Sequence, residues 1–314
     1  MQKKLIALAV AGLSSVAFAQ SNVTVYGVAD VAVGDGPGTA TFAAHANDSL
    51  TNGNSRLGFK GSEDLGGGLK VNFNIEQGIN LANGATEATT YGRQAWVGVS
   101  GGFGQLQIGR NYTVGFKANA SYETTGEANY TVMNLFGQVG GTRNNAQVLY
   151  ISPSFSGFGV MVDHVLKGND AINNANNSAE TGIALTYANG PLAVAFSHAD
   201  NGAGSKDKSF GGSYNFGMGR AVLSYQDPNG NSKGWTLGVA DVKAGPLMLT
   251  VDYAKNTGLD TKQLLVEAKY PLSKRTFVYL EIKDVTGLNP ISYLAPTAAA
   301  PDGTAYSLGM RHNF

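Results

Sequence analysis

The sequence predicts an all-β chain, a transmembrane antiparallel β-barrel of about sixteen strands with one long segment folded inward. Three observations predict it. Apolar and polar residues alternate with period two over segments of about ten residues, which gives strands with two unlike faces. Tight turn signals rich in Gly, Pro and Asn recur at intervals that leave room for two strands and a loop. The 314-residue chain opens on an export leader and has no Cys, and no later segment approaches the ~20 apolar residues of a helical span.

The leader is "MQKKLIALAVAGLSSVAFAQ". Lys3 and Lys4 precede an apolar run from Leu5 to Leu13, and Ala17-Phe18-Ala19 closes it. That run is too short to cross a bilayer and has the three-part layout of a secretory signal peptide, so cleavage is expected after Ala19. Residues 1–19 are then the signal peptide and 20–314 the barrel domain. An exported chain without Cys is not held by disulfides. The 22 basic and 22 acidic residues become a formal charge of −2 once Lys3 and Lys4 are removed, and nothing in that balance suggests nucleic acid.

Four stretches carry the strand pattern most plainly. In "LMLTVDYAKN", Leu247, Leu249, Val251 and Tyr253 alternate with Met248, Thr250, Asp252 and Ala254. In "QLLVEAKYPL", Leu264, Val266, Ala268, Tyr270 and Leu272 share one parity. In "RAVLSYQD" it is Ala221, Leu223 and Tyr225, and in "TFVYLEIKD" Val278, Leu280 and Ile282. Aromatics near strand ends (Tyr26, Tyr150, Tyr187, Tyr270, Phe314) fall where interfacial girdles are expected.

Seven tight turns separate these strands: Asp64–Gly68, Gly101–Gly104, Pro153–Gly157, Asn189–Pro191, Phe216–Gly219, Lys243–Pro246 and Pro271–Lys274. Polar loops lie between them, such as Gly34–Asn54, Leu81–Tyr91, Lys167–Ala179 and Thr286–Gly303. Seven short turns on one side imply eight loops on the other, hence about sixteen strands with both termini on the turn side. Closing such a sheet satisfies every backbone group in lipid. One interval is anomalous. The excess sits in Asn111–Asn145, which has neither clean alternation nor a helical run. Its apolar residues (Tyr112, Val114, Phe116, Val132, Met133, Leu135, Phe136) argue against disorder and predict packing inside the wall.

"NSRLGFKGSEDLGGGLKVNFNIEQG", "YGRQAWVGVSGGFGQLQIGRNY" and the terminal "LGMRHNF" closely resemble the general porins of Gram-negative outer membranes, in their neisserial and β-proteobacterial branch. The likeness runs from "VTVYGVAD" to Phe314. It implies a homotrimer in the outer membrane, among outer-membrane lipids and lipopolysaccharide, with short periplasmic turns, long extracellular loops and an inward-folded third loop forming a constriction. It also implies that Phe314 is an insertion signal read by the barrel-assembly machinery, besides anchoring the last strand.

The family sets arginines on the wall against carboxylates on the third loop. Arg56 opens "RLGFKG", where Leu57 and Phe59 read as outward, so Arg56, Gly58 and Lys60 point into the lumen. Arg93 precedes "QAWVG", where analogy with the family turns Gln94, Trp96 and Gly98 outward; parity alone leaves that strand open, because Ala95, Val97 and Val99 are apolar too. Arg143 sits where the third loop re-enters the wall. Arg56, Arg93 and Arg143, with Lys60, resemble the basic wall. Glu123 and Glu127 are the only acids within Asn111–Asn145, and one helical turn would put them on one face. The family's common Pro-Glu-Phe-Gly loop motif is absent. More bases than acids at this gap lean the pore toward anions.

Catalysis is disfavoured. His45, His164, His198 and His312 are the only histidines, and Ser197 and His198 point to opposite faces of one strand. No spacing suggests a metal site, Glu63-Asp64 reads as part of a turn, and no cofactor is implied. The leading expectation is a water-filled pore for ions and small hydrophilic solutes. The alternatives are a channel selective for small organic anions and, in another class, a surface β-sandwich adhesin.

Overall fold

A computed structural model describes residues 22–37, 42–166, 179–200, 202, 204, 206–228, 232–287 and 302–314. The expected leader lies outside these residues, as do most of the polar stretches 167–179 and 286–303. In chain order the strands are β1 (Asn22–Asp35), β2 (Ala43–His45), β3 (Arg56–Gly66), β4 (Leu69–Gly78), β5 (Gln94–Gly101), β6 (Gly104–Tyr112), β7 (Arg143–Ile151), β8 (Phe158–Val165) and β9 (Glu180–Asn189). They continue as β10 (Leu192–Asp200), β11 (Lys206–Asn215), β12 (Arg220–Asp227), β13 (Gly234–Ala244), β14 (Leu247–Asn256), β15 (Thr261–Pro271), β16 (Thr276–Thr286) and β17 (Gly303–Asn313). Helix α1 (Val114–Ala120) and a 3-10 turn (Val132–Leu135) fall between β6 and β7.

All seventeen strands join in one antiparallel sheet, and β2 is a three-residue addition within the first loop, so sixteen strands make the wall. Strand β1 closes it. Its Asn22–Val28 half pairs with β3, and its Val28–Asp35 half pairs with β17. The sheet therefore has no edge, as lipid demands, and the two-sheet adhesin is excluded. All seven turns lie where the Gly and Pro signals put them.

The two faces follow the period-two reading. On β13 to β17, Leu237, Val239, Val251, Leu264, Val266, Leu280, Ile282, Leu308 and Met310 are exposed on the outside, while Thr236, Thr250, Asp252, Gln263, Glu267, Glu281 and Ser307 are buried on the inside. Two expectations are corrected. Tyr26 belongs to no girdle. It faces the lumen, its hydroxyl 2.7 Å from Asn74 Oδ1 and 2.8 Å from Glu76 Oε2. On β5 the family analogy is reversed: Val97 is outward, and Gln94 and Trp96 pair laterally with the lumen-facing Glu76 and Asn74. Both faces of β5 are apolar enough that alternation could not choose between them.

The segment between β6 and β7 folds into the barrel. Thr113 caps α1 by accepting the Phe116 N–H at 3.1 Å, and Asp163 on β8 accepts the Val114 N–H at 2.7 Å. The first half of the loop buries Val114, Ala118 and Tyr122, joined by Met133 from the 3-10 turn, against Leu149, Ala184, Ala195 and Val222. The second half buries Tyr130, Val132, Leu135 and Phe136 against Ala254, Leu265 and Tyr279. Burying such side chains is worth ~1.5–3 kcal/mol each. Polar ties from the wall join them. Arg220 donates to the carbonyls of Tyr122 (3.2 Å) and Thr124 (3.0 Å), Gln263 to that of Tyr130 (3.0 Å), and Asn256 to that of Leu135 (3.0 Å). The first loop also turns inward. Ser307 donates to Leu50 O at 2.7 Å, and Asn129 Nδ2 of the third loop reaches Thr51 Oγ1 at 3.0 Å and Asn54 Oδ1 at 2.7 Å. Between the docked loop and the wall strands β3, β6, β7 and β17, an open cavity remains.

Candidate pore constriction

Beside the docked loop lies a cavity of about 400 Å³. Arg56, Arg93, Arg143 and Arg311 line its wall side, and Gly126, Glu127, Ala128, Asn129 and Asn134 line its loop side. Arg56 stands first on β3 with the inward parity expected. Arg93 reaches the lumen by another route. It precedes the first residue of β5, in a bend where alternation has not begun, and its side chain is buried against Glu76.

Glu76 organises this corner. Its Oε1 lies 2.7 Å from Arg93 Nε and its Oε2 3.5 Å from Arg56 Nε, and Glu87 Oε1 comes within 3.8 Å of Arg93. Burying a carboxylate is costly unless it is paired; here two guanidiniums and the Tyr26 hydroxyl satisfy it. Arg143 opens β7 and lies over the Tyr112 ring, its Cζ 4.3 Å from the centroid, and donates to the Tyr112 hydroxyl at 2.8 Å. Tyr112 stacks in turn on Phe116 of α1 at 4.6 Å. Planar guanidiniums suit such stacking and keep their charge at every relevant pH.

Arg311 was not among the candidates read from sequence. It donates to Asn52 Oδ1 at 2.7 Å, which ties the terminal strand to the inward first loop. The signal was present: Arg311 shares parity with Ser307 and Gly309, opposite the outward Met310 and His312.

Two expected members are corrected. Lys60 faces the lumen but does not join the arginines. It lies four residues further down β3, about 13 Å at ~3.3 Å per residue, and lines a separate niche with Trp96 and Asn72. Glu123 is buried beneath the loop and does not line the cavity. Its Oε2 accepts the N–H groups of Thr125 and Glu127, both at 2.8 Å, and its Oε1 accepts the Thr125 hydroxyl at 2.7 Å and that of Thr131. The pair shares no helical face, because α1 ends at Ala120 and Glu127 adopts φ +62°. Glu123 thus shapes the loop apex, and Glu127 alone presents a carboxylate to the gap. Burial of its carboxyl at the loop apex, with Glu123 close by, pushes Glu127 well above the usual carboxylate range.

Phe314 completes the wall. It exchanges backbone hydrogen bonds with Gly27 (3.0 and 3.1 Å), and its ring lies over that glycine on the outer face. A Cβ on Gly27 would run into both the ring and Arg56 O. Among the described residues, no group of three or more His, Asp or Glu could hold a metal ion.

The sequence matches the Gram-negative porin family over residues 5–289. It is 30% identical to outer membrane porin protein 32 of Delftia acidovorans, with both chains covered in full. An outer membrane porin protein of Bordetella pertussis is 32% identical over 72% of this chain and 69% of its own. Among solved structures, the anion-selective porin from Comamonas acidovorans superposes with a TM-score of 0.76 at 24% identity, over 94% of this chain and all of that one. The chain belongs to the Gram-negative porin family and forms a water-filled diffusion channel in the outer membrane.

Proposed function

We propose that this porin conducts small hydrophilic solutes with a preference for anions. The preference is set where Arg56, Arg93, Arg143 and Arg311 face Glu127. The observation that carries this reading is the imbalance across one cavity: four guanidiniums line it and one loop carboxylate opposes them. Fixed charges around a narrow aqueous passage raise the local concentration of the opposite ion. The similarly folded porin from Comamonas acidovorans is anion-selective, which agrees with it. Reversal potentials in asymmetric KCl across planar bilayers test it. A potential of the anion sign is expected, and a cation-selective potential refutes it.

The rest of the proposal follows the family. The working unit is a homotrimer, residues 1–19 are removed on export, Phe314 is read during barrel assembly, and the channel carries no catalytic activity. A heat-modifiable trimer on gels, and loss of assembly in Phe314→Ala, are the corresponding measurements.

A further inference from the structure

Below the constriction the lumen wall carries a second niche, of about 330 Å³, lined by Lys60, Trp96, Asn72, Asn74 and Gln105. The strand register explains its composition. Thr24, Lys60, Asn74 and Trp96 stand side by side in one row across β1, β3, β4 and β5. Asn22, Ser62 and Asn72 form the next row towards the turns. Adjacent strands are ~4.8 Å apart, so Lys60 and Trp96 stand about 10 Å apart at the backbone, on either side of Asn74. The Trp96 N–H is occupied by Gln94 Oε1 at 3.1 Å, which leaves the indole face as its remaining offering. Lys60 hangs over the Tyr26 ring, 4.9 Å from its centroid, and makes no ion pair among the described residues.

We propose that this niche is a solute subsite on the turn side of the constriction, and that it takes a sugar acid. Asn74 Oδ1 is taken by the Tyr26 hydroxyl and Asn72 Nδ2 donates to Ser100, so Asn74 Nδ2, Asn72 Oδ1 and Gln105 serve the hydroxyls of a pyranose ring, the aromatic face accepts its C–H surface, and an ammonium on a flexible stem takes its carboxylate. A neutral sugar forfeits the ammonium, and a simple inorganic anion forfeits the indole and the amides. The inference rests on the reading that anions pass the constriction above, and gives those with a ring a stopping place beyond it.

Trp96 reports on its own site. The chain has two tryptophans, and the other, Trp235, is outward on β13 against Tyr253. In Trp235→Phe trimers in detergent, emission comes from Trp96 alone. Titration with sodium glucuronate is expected to give a saturating change with a millimolar midpoint. Sodium chloride at matched ionic strength, and glucose at the same concentration, are expected to give no saturating change. Lys60→Gln in the same background is expected to raise the midpoint at least tenfold while the trimer melts on gels as before. A non-saturating response, an equal response to chloride, or an unshifted midpoint in Lys60→Gln overturns the subsite. Reversal potentials on the same preparation separate the two readings. Anion preference without a glucuronate response fells the subsite alone, whereas a glucuronate response without anion preference fells the constriction assignment and leaves the subsite standing.

Discussion

Replacing Arg143 and Arg311 together by glutamine removes two charges from the constriction while Glu76 keeps Arg56 and Arg93. A cavity of about 400 Å³, taken as a sphere, places an ion at its centre roughly 6 Å from a guanidinium in the wall. In water one charge at that distance is worth ~0.7 kcal/mol. Screening in 0.1 M salt, with a Debye length of about 10 Å, reduces this to ~0.4 kcal/mol. Two charges make ~0.8 kcal/mol, lost by an anion and regained by a cation, so the permeability ratio shifts by ~1.6 kcal/mol, about fifteenfold. At 1 M the Debye length is ~3 Å, and the same substitution is worth about twofold. The assay is the reversal potential of Arg143→Gln/Arg311→Gln channels in planar bilayers, with KCl gradients centred on 0.1 M and on 1 M. An unchanged ratio at 0.1 M would refute the assignment. So would an equal shift at both concentrations, because that is the mark of altered pore shape and not of a screened field.

Arg93 behaves differently, because it is the close partner of a buried carboxylate. Arg93→Ala strands Glu76 beside the more distant Arg56, costs about 3 kcal/mol, and lowers the temperature at which trimers dissociate on gels, an effect absent from Arg311→Gln. Glu123→Gln leaves one oxygen where two held the loop apex. It costs ~1–3 kcal/mol locally, raises open-channel current noise, and leaves trimer melting unchanged; quiet channels would mean that Glu123 does not position Glu127. Acidification discharges Glu127, whose carboxyl is pushed up and therefore takes its proton above the ordinary carboxylate range. Anion preference accordingly rises as pH falls through that point, and Glu127→Gln channels lack the rise; a parallel rise in the variant would rule Glu127 out as its source.

The outer wall was legible in the sequence and the inner wall only in part, for one physical reason. Lipid accepts apolar side chains alone, so Leu264, Val266, Leu280 and Leu308 announce their face by alternation. The lumen accepts water, apolar loop residues and paired charges alike. Leu265, Ala254 and Tyr279 face inward because the third loop covers them, and no local pattern records that cover. On β5 alternation gave no choice and the family analogy pointed the wrong way, since Trp96 is inward while Val97 is outward. Arg93 lay at the right corner although strand parity did not place it, because a bend after Gly92 turns its side chain to Glu76. Glu123 was misassigned because spacing to Glu127 says nothing of which carboxylate is spent on backbone N–H groups. Arg311 needed only the parity of its own strand. The inward turn of the first loop could not be read at all, because it depends on Ser307, Tyr279 and Asn129, which stand up to 257 residues away in sequence.

Those distant ties also bear on whether the constriction moves. From Thr113 to Thr142 the third loop carries Lys117, Glu123 and Glu127, a net charge of −1. Driving one charge across the whole membrane field yields ~2.3 kcal/mol at 100 mV. Against this stand the wall's hydrogen bonds to the loop carbonyls from Arg220, Gln263, Asn256, Ser232 and Lys269, at ~1 kcal/mol each. The two apolar clusters beneath the loop add more, at ~1.5–3 kcal/mol for each large side chain. Voltage of ordinary size is outweighed severalfold, so the third loop is expected to stay docked and to keep Glu127 in place on the proposed constriction. A field that filters ions needs such fixity, because a carboxylate free to swing onto a guanidinium would cancel the charge that gives the pore its sign.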